Sequence, residues 1–153
     1  EPLNAEHGDV DAADDGLADV SIMMHQAMFM AAAVDKAAQR CAVDDGAVAY
    51  RLGRSVARME AALSAPSIFG RVALAQTMRD ISPDLMDLLG AASALPDGAD
   101  GAADDGAAEY VYRFAPLVGI YGGTLEVFRN MIAQYVLGLG KPAYAAPAAK
   151  KAS

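Results

Sequence analysis

Hydrophobic positions in this chain recur at spacings of three and four and show no clean strand-like alternation. That period is helical; a half-buried strand repeats every second residue. From Leu17 to about Ala42, a row of Val20, Met23, Met24, Ala27, Met28, Ala31 and Val34 predicts a first helix. Val43-Asp44-Asp45-Gly46 breaks it. Val48, Leu52, Val56, Met59 and Leu63 predict a second helix over about 47–63, and Ile68, Val72, Ala75 and Met78 a third over about 68–80. Ser82, Pro83 and Asp84 then carry the marks of a fresh start: an N-cap hydroxyl, a proline suited to the first position, and an acid at the positive end of the dipole. This short helix is expected to stop at Gly90. A loop over 91–106 and a short helical piece over about 107–114 follow. In the last helix Leu125, Phe128, Ile132, Tyr135, Val136 and Leu139 make one apolar stripe, which Gly138, Gly140 and Pro142 end. The expectation is an all-α fold, an antiparallel helical bundle with short connections. Residues 1–16 read as an acidic linker or a disordered segment, 17–141 as the bundle domain and 142–153 as a disordered tail.

Composition narrows the function classes. The chain has 153 residues, 54% of them hydrophobic, enough for one modest core. A net charge of −8 argues against nucleic acid, which needs a basic footprint. The apolar run Val20 to Val34 is interrupted by His25 and Gln26 and is shorter than the ~20 residues of a membrane span. Neither a nucleic acid nor a membrane partner is expected. Cys41 is the only cysteine, so no disulfide framework exists and a reducing, cytoplasmic setting fits. The first residue is Glu1, which implies processing, excision from something longer, or internal numbering. His7 and His25 have no partner at metal-ligand spacing, and no metal is expected. Asp9, Asp11 and Asp15 lack the later ligands of a calcium loop.

Two side-chain groups stay open between a functional and a structural role. Met23, Met24, Met28 and Met30 suit either an adaptable binding surface or core and interface packing. Arg51, Arg54 and Arg58 share a face of the second helix and suit either an anionic ligand, such as a nucleotide phosphate, or salt bridges to acidic neighbours. The stretch Gly119 to Tyr144 is more distinctive. Gly122-Gly123 precede the best-specified helix, with Gly123 or Thr124 as its cap and Glu126 at or near the third position of a capping box. Glycines there let the backbone approach a ligand closely, beside free helix N–H groups. An ordinary interhelical turn is the alternative.

The same stretch resembles the C-terminal signature of the acyl-CoA dehydrogenase family. Ile120, Tyr121, Gly123, Thr124, Glu126, Arg129, Asn130, Ala133 and Leu137-Gly138-Leu139 match it, and Arg113 falls where the family tends to carry an arginine. The resemblance is strong over 109–142, extends back to about Asp44 and is absent before it. The Gly-Leu-Gly-Lys-Pro end is similar to that of actinobacterial members acting on steroid side-chain CoA thioesters. The family is one of flavoproteins, with FAD between a C-terminal bundle and a central β-domain and across a subunit interface. By resemblance, Gly123, Thr124 and Glu126 face FAD, and Tyr121 and Gly122 lie near the acyl thioester. The departures are specific. Many members carry the catalytic glutamate where this chain has Gly122, so no catalytic residue is assigned here. The family's Gln-x-x-Gly-Gly appears as Asp87-Leu88-Leu89-Gly90-Ala91, its Arg-x-x-Phe-Gly loop is missing, and no β-domain is present.

The resemblance therefore implies the C-terminal bundle of an FAD-dependent acyl-CoA dehydrogenase, as a fragment or split subunit. It would form part of the flavin pocket and the oligomer interface, and would not be active alone. Another acyl-CoA dehydrogenase chain would supply the base in a hetero-oligomer, and the substrate would be an acyl-CoA or steroid-CoA thioester. The alternative is a non-catalytic structural subunit that stabilises a dehydrogenase partner without holding flavin.

Overall fold

A computed structural model describes the backbone of residues 12–65 and 67–140, with side chains described from residue 23 onward except at 67. The elements are α1 (Ala12–Arg40), α2 (Gly46–Ser64), α3 (Ser67–Leu89), a 3-10 turn (Ala91–Ala94), α4 (Ala107–Val118), α5 (Leu125–Met131) and a π-helical segment (Ile132–Val136). No strand occurs among the described residues, and the fold is the expected all-α bundle. The tail from residue 142 and residues 1–11 lie outside the described residues, whereas α1 already starts inside the stretch read as linker.

Helix α3 is the hub, packed against α1, α2, α4 and α5. Leu74, Ala75, Met78, Ile81 and Leu85 recur at helical spacing along it and are all buried. They meet Met30, Ala33, Val34 and Ala37 of α1, Leu52, Met59 and Ala62 of α2, Val111, Ala115 and Val118 of α4, and Leu125 of α5. This continuity corrects the expected break at Ser82. Ser82 is itself buried and Pro83 sits inside the helix. Burial of Met78, Ile81 and Leu85 outweighs the helix bond that a mid-helix proline forfeits.

Two other stripes are rotated from their expected faces. In α1 the buried set is Gln26, Met30, Ala33, Val34 and Ala37, while Met24 and Met28 are exposed. In α2 Ser55 takes an inward position and Val56 and Leu63 lie at the exposed rim. Ser55 can be buried because its hydroxyl donates to the Arg51 carbonyl at 3.1 Å. The last helix is also shorter than expected. After Met131 the ladder widens, with Leu137 N–H donating to the Ile132 carbonyl at 2.9 Å, and Tyr135, Val136, Leu137 and Leu139 face solvent.

The arginine face of α2 resolves into salt bridges. Arg51 reaches Asp84 at 2.9 Å and Asp87 at 3.2 Å, Arg54 pairs with Asp84, and Arg58 reaches Asp80 at 3.2 Å. Rising numbers on α2 meet falling numbers on α3, so the ladder also shows that these helices run antiparallel. Burial alone would raise the Asp84 carboxyl, but hydrogen bonds from Arg51 and Arg54 outweigh it and hold it below the usual carboxylate range. A depressed folded-state pKa adds stability that is fully present above the unfolded value and lost as pH falls through the folded one. Asp84→Asn is therefore expected to cost about 1–2 kcal/mol at neutral pH and to flatten the loss of stability below about pH 4. Urea melts of both proteins across that range check this; parallel pH profiles would contradict it.

Candidate functional site

The Gly-Gly turn is built by the end of α4 and the start of α5. Tyr121 N–H donates to the Leu117 carbonyl at 3.2 Å, and Leu125 N–H closes the loop onto the Gly119 carbonyl at 3.2 Å. Between these ties the chain passes through φ +67° at Gly122 and φ +121° at Gly123. The second value is one that L side chains rarely adopt, and a Cβ on Gly123 would also meet the Phe128 ring at 3.4 Å. Thr124 is the N-cap of α5, its hydroxyl oxygen accepting from Val127 N–H at 3.4 Å. Val127 thus holds the third helical position and Glu126 the second. Glu126 is exposed. Its own backbone N–H first, then the Thr124 hydroxyl, hold its carboxyl below the usual range.

What fixes this turn is a buried cation. Arg71, only 1% exposed, donates from Nη2 to the Tyr121 carbonyl at 2.9 Å. Its guanidinium carbon lies 5.1 Å from the Tyr121 ring centroid and 5.0 Å from that of Phe128. Both distances are within cation–π range. The arginine therefore ties the residue before the glycines to the first turn after them. Gln26, also 1% exposed, donates from Nε2 to the Tyr121 hydroxyl, so α1 and α3 together grip both ends of this tyrosine. Arg71 has no carboxylate partner among the described residues, and its Nη1 and the Gln26 Oε1 have no hydrogen-bond partner. A buried charge without an acid is costly, and here one carbonyl and two aromatic faces offset that cost.

A row of rings leads away from the turn. Tyr121 lies 6.4 Å from Phe114, which stacks at 5.6 Å on Tyr110; Tyr110 meets Phe29 at 4.6 Å, and Phe29 meets His25 at 5.5 Å. The row joins α4 to α1. Arg113, on another face of α4, forks onto Glu109 at 2.7 and 3.2 Å.

The structure thus brings Tyr121, Gly122, Gly123 and Thr124 together in one partly exposed loop, with Glu126 at its edge. Asp87 does not join them. It lies 16 residues beyond Arg71 on α3, about 24 Å at the helical rise, and is engaged by Arg51. Arg71 and Gln26 escaped the sequence reading because polar residues in apolar rows look like interruptions. Spacing held the signal for Arg71: it precedes Leu74, Ala75 and Met78 by three, four and seven residues, the inward face. Cys41 is half-buried, its thiol pushed up by burial. No group of three or more His, Cys, Asp or Glu that could hold a metal occurs among the described residues. None of their helices is long and apolar enough to cross a membrane.

Arg71→Lys is expected to destabilise the fold by about 2–3 kcal/mol, because an ammonium cannot reproduce the planar contact with two rings. Amide exchange should rise most at 121–123. Denaturant melts and hydrogen exchange check this; a loss under about 0.5 kcal/mol would show that the stacked guanidinium is not what holds the turn.

Comparison with known proteins places the turn in context. The family profile described as "Acyl-CoA dehydrogenase, C-terminal domain" matches residues 47–137, more than half of the chain, from α2 through the π-helical segment. No curated protein and no solved structure shows a significant match.

Proposed function

The chain belongs to the acyl-CoA dehydrogenase family, of which it carries the C-terminal domain, and from that premise we propose that it forms one edge of an FAD site in an acyl-CoA dehydrogenase assembly. The observation that carries the reading is the clamped, exposed Gly122-Gly123 turn. Gly122 has open space where a side chain would begin, and Gly123 presents its backbone without one. These features fit the edge of a flat ring system. Three grooves seen among the described residues, near Phe29, Ser82 and Leu117, are not lined by residues of the turn. Gly123, Thr124 and Glu126 would hold the FAD edge, with Tyr121 and Gly122 toward the acyl thioester. Bound FAD supplies the hydride acceptor for α,β-dehydrogenation.

The remaining walls and the base would come from another chain or region. Abstracting a proton α to a thioester needs a carboxylate within about 3 Å of that carbon. Gly122 has no side chain, Glu126 is turned to solvent beside Arg129, and Asp87 lies far along α3. Exposed Ile120, Val127, Tyr135, Val136, Leu137 and Leu139 support a further contact surface around the turn and the chain that follows it. A hetero-oligomer with another dehydrogenase chain, acting on acyl-CoA or steroid-CoA thioesters, is the assembly this reading proposes.

The second reading, a structural subunit without flavin, is favoured by one observation. Asp87, at the position of the family's glutamine, is held in the Arg51 salt bridge. A flavin spectrum of the purified assembly with and without this chain separates the two. Under the first reading, Gly123→Val removes most of the flavin while circular dichroism changes little, since its strain is confined to the turn. Glu126→Gln keeps turnover per bound flavin within about threefold, because Glu126 is not the base. Equal loss of flavin and helicity in the valine variant would support a merely structural turn. Loss of turnover by several orders of magnitude in the glutamine variant, with flavin retained, would move the base into this chain.

A further inference from the structure

A groove of about 240 Å³ lies between α3 and α4, lined by Arg79, Ser82 and Pro83 on one side and Tyr112, Arg113 and Pro116 on the other. Two guanidinium groups border it, and among the described residues only one carboxylate, Glu109, is hydrogen-bonded to either of them. Glu109 takes Nε and Nη2 of Arg113, which leaves Nη1 unused. Arg79 makes no ion pair among the described residues, and its neighbours' acids are already engaged: Asp80 by Arg58 and Gln76, Glu126 by Arg129. Arg79 is exposed; its charge helps to lower the Glu126 carboxyl, but it makes no hydrogen bond to that group, so its donors remain available to a ligand. Tyr112 is half-exposed and brings a phenol to the same groove, while Ser82, almost fully buried, brings a hydroxyl to the wall.

We propose that this groove binds an oxyanion of the phosphate class, held by Arg79 from α3 and by the free edge of Arg113 from α4. The donor set selects the class. The donors sit on two facing walls, and a tetrahedral phosphate offers oxygens in several directions at once, whereas a carboxylate offers two in one plane. The two prolines contribute walls without N–H groups and with restricted backbones. The anion also neutralises the charge that Glu109 leaves unbalanced. In a chain of net charge −8 the general field repels anions, so binding here rests on these local donors. This site is independent of the flavin reading.

The test is a titration of the full chain with inorganic phosphate and, separately, with ADP, at constant ionic strength, followed by amide shifts of Ser82, Tyr112 and Arg113. Saturable shifts at these residues are expected with both probes. Tighter binding of ADP identifies a nucleotide phosphate as the source, and equal binding identifies a free phosphate. Arg79→Gln should weaken binding about tenfold, the loss of one charge-assisted contact. Arg79→Lys should recover part of it, and Arg40→Gln, on a distant helix end, should leave it unchanged. Arg79 is exposed, so its variants are expected to fold, and a melt confirms that. Shifts that grow linearly without saturation, shifts shared equally by all arginines, or binding unaffected by Arg79→Gln would overturn the proposal. So would saturable binding of an acidic peptide in the same groove where neither phosphate probe binds.

Discussion

One guanidinium joins the core of this protein to its exposed turn. Arg71 occupies an inward position near the start of α3, where the next residues on the same face are Leu74, Ala75 and Met78. Its charge is met by the Tyr121 carbonyl and by the rings of Tyr121 and Phe128, with Nη1 left without a hydrogen-bond partner among the described residues. That arrangement makes burial of the cation conditional on the turn being in place, and the turn's placement conditional on the cation. Neither half is stable without the other: an unclamped Arg71 would be a buried charge with no partner, and an unclamped turn would leave Gly122 and Gly123 free to sample many conformations.

The remaining charges are arranged differently. The α2–α3 ladder and the Arg113–Glu109 fork are exposed or half-exposed, so each contributes modestly and mainly fixes register. Asp84 is the exception, being the most enclosed of the ladder's carboxylates and shared by two arginines. The bundle's stability thus rests on alanine- and methionine-rich packing around α3. Its specificity rests on a few polar contacts at defined heights: Arg71 and Gln26 at the turn, Asp84 of α3 against Arg51 and Arg54 of α2, and Cys41 at 3.8 Å from the Leu88 carbonyl near the far end.

The helical class was legible because the apolar period is unambiguous, and the last turn because its residues resemble a known signature. The match to the family profile begins at residue 47, close to where the resemblance had faded at Asp44. Ser82-Pro83-Asp84 misled because cap chemistry is local, whereas burial of Ile81 and Leu85 is a tertiary effect that only neighbouring helices reveal. Val56 and Met28 misled because apolar residues outnumber buried positions in so short a bundle. The charge ladder was half-legible: three arginines at helical spacing announce a face, but the carboxylates opposite them lie on another helix.

The central claim is that the turn is one side of a site completed elsewhere. The clamp holds Tyr121 inward by both ends and leaves Gly122 facing open space, beside exposed apolar side chains. An enclosed cofactor site needs walls on both faces. The most direct measurement is native mass spectrometry of the protein purified under conditions that preserve complexes. The account predicts a particle heavier than the 15.8 kDa chain by a second, different polypeptide and by bound FAD. A chain that remains alone, or that assembles only with copies of itself and without flavin, would contradict it.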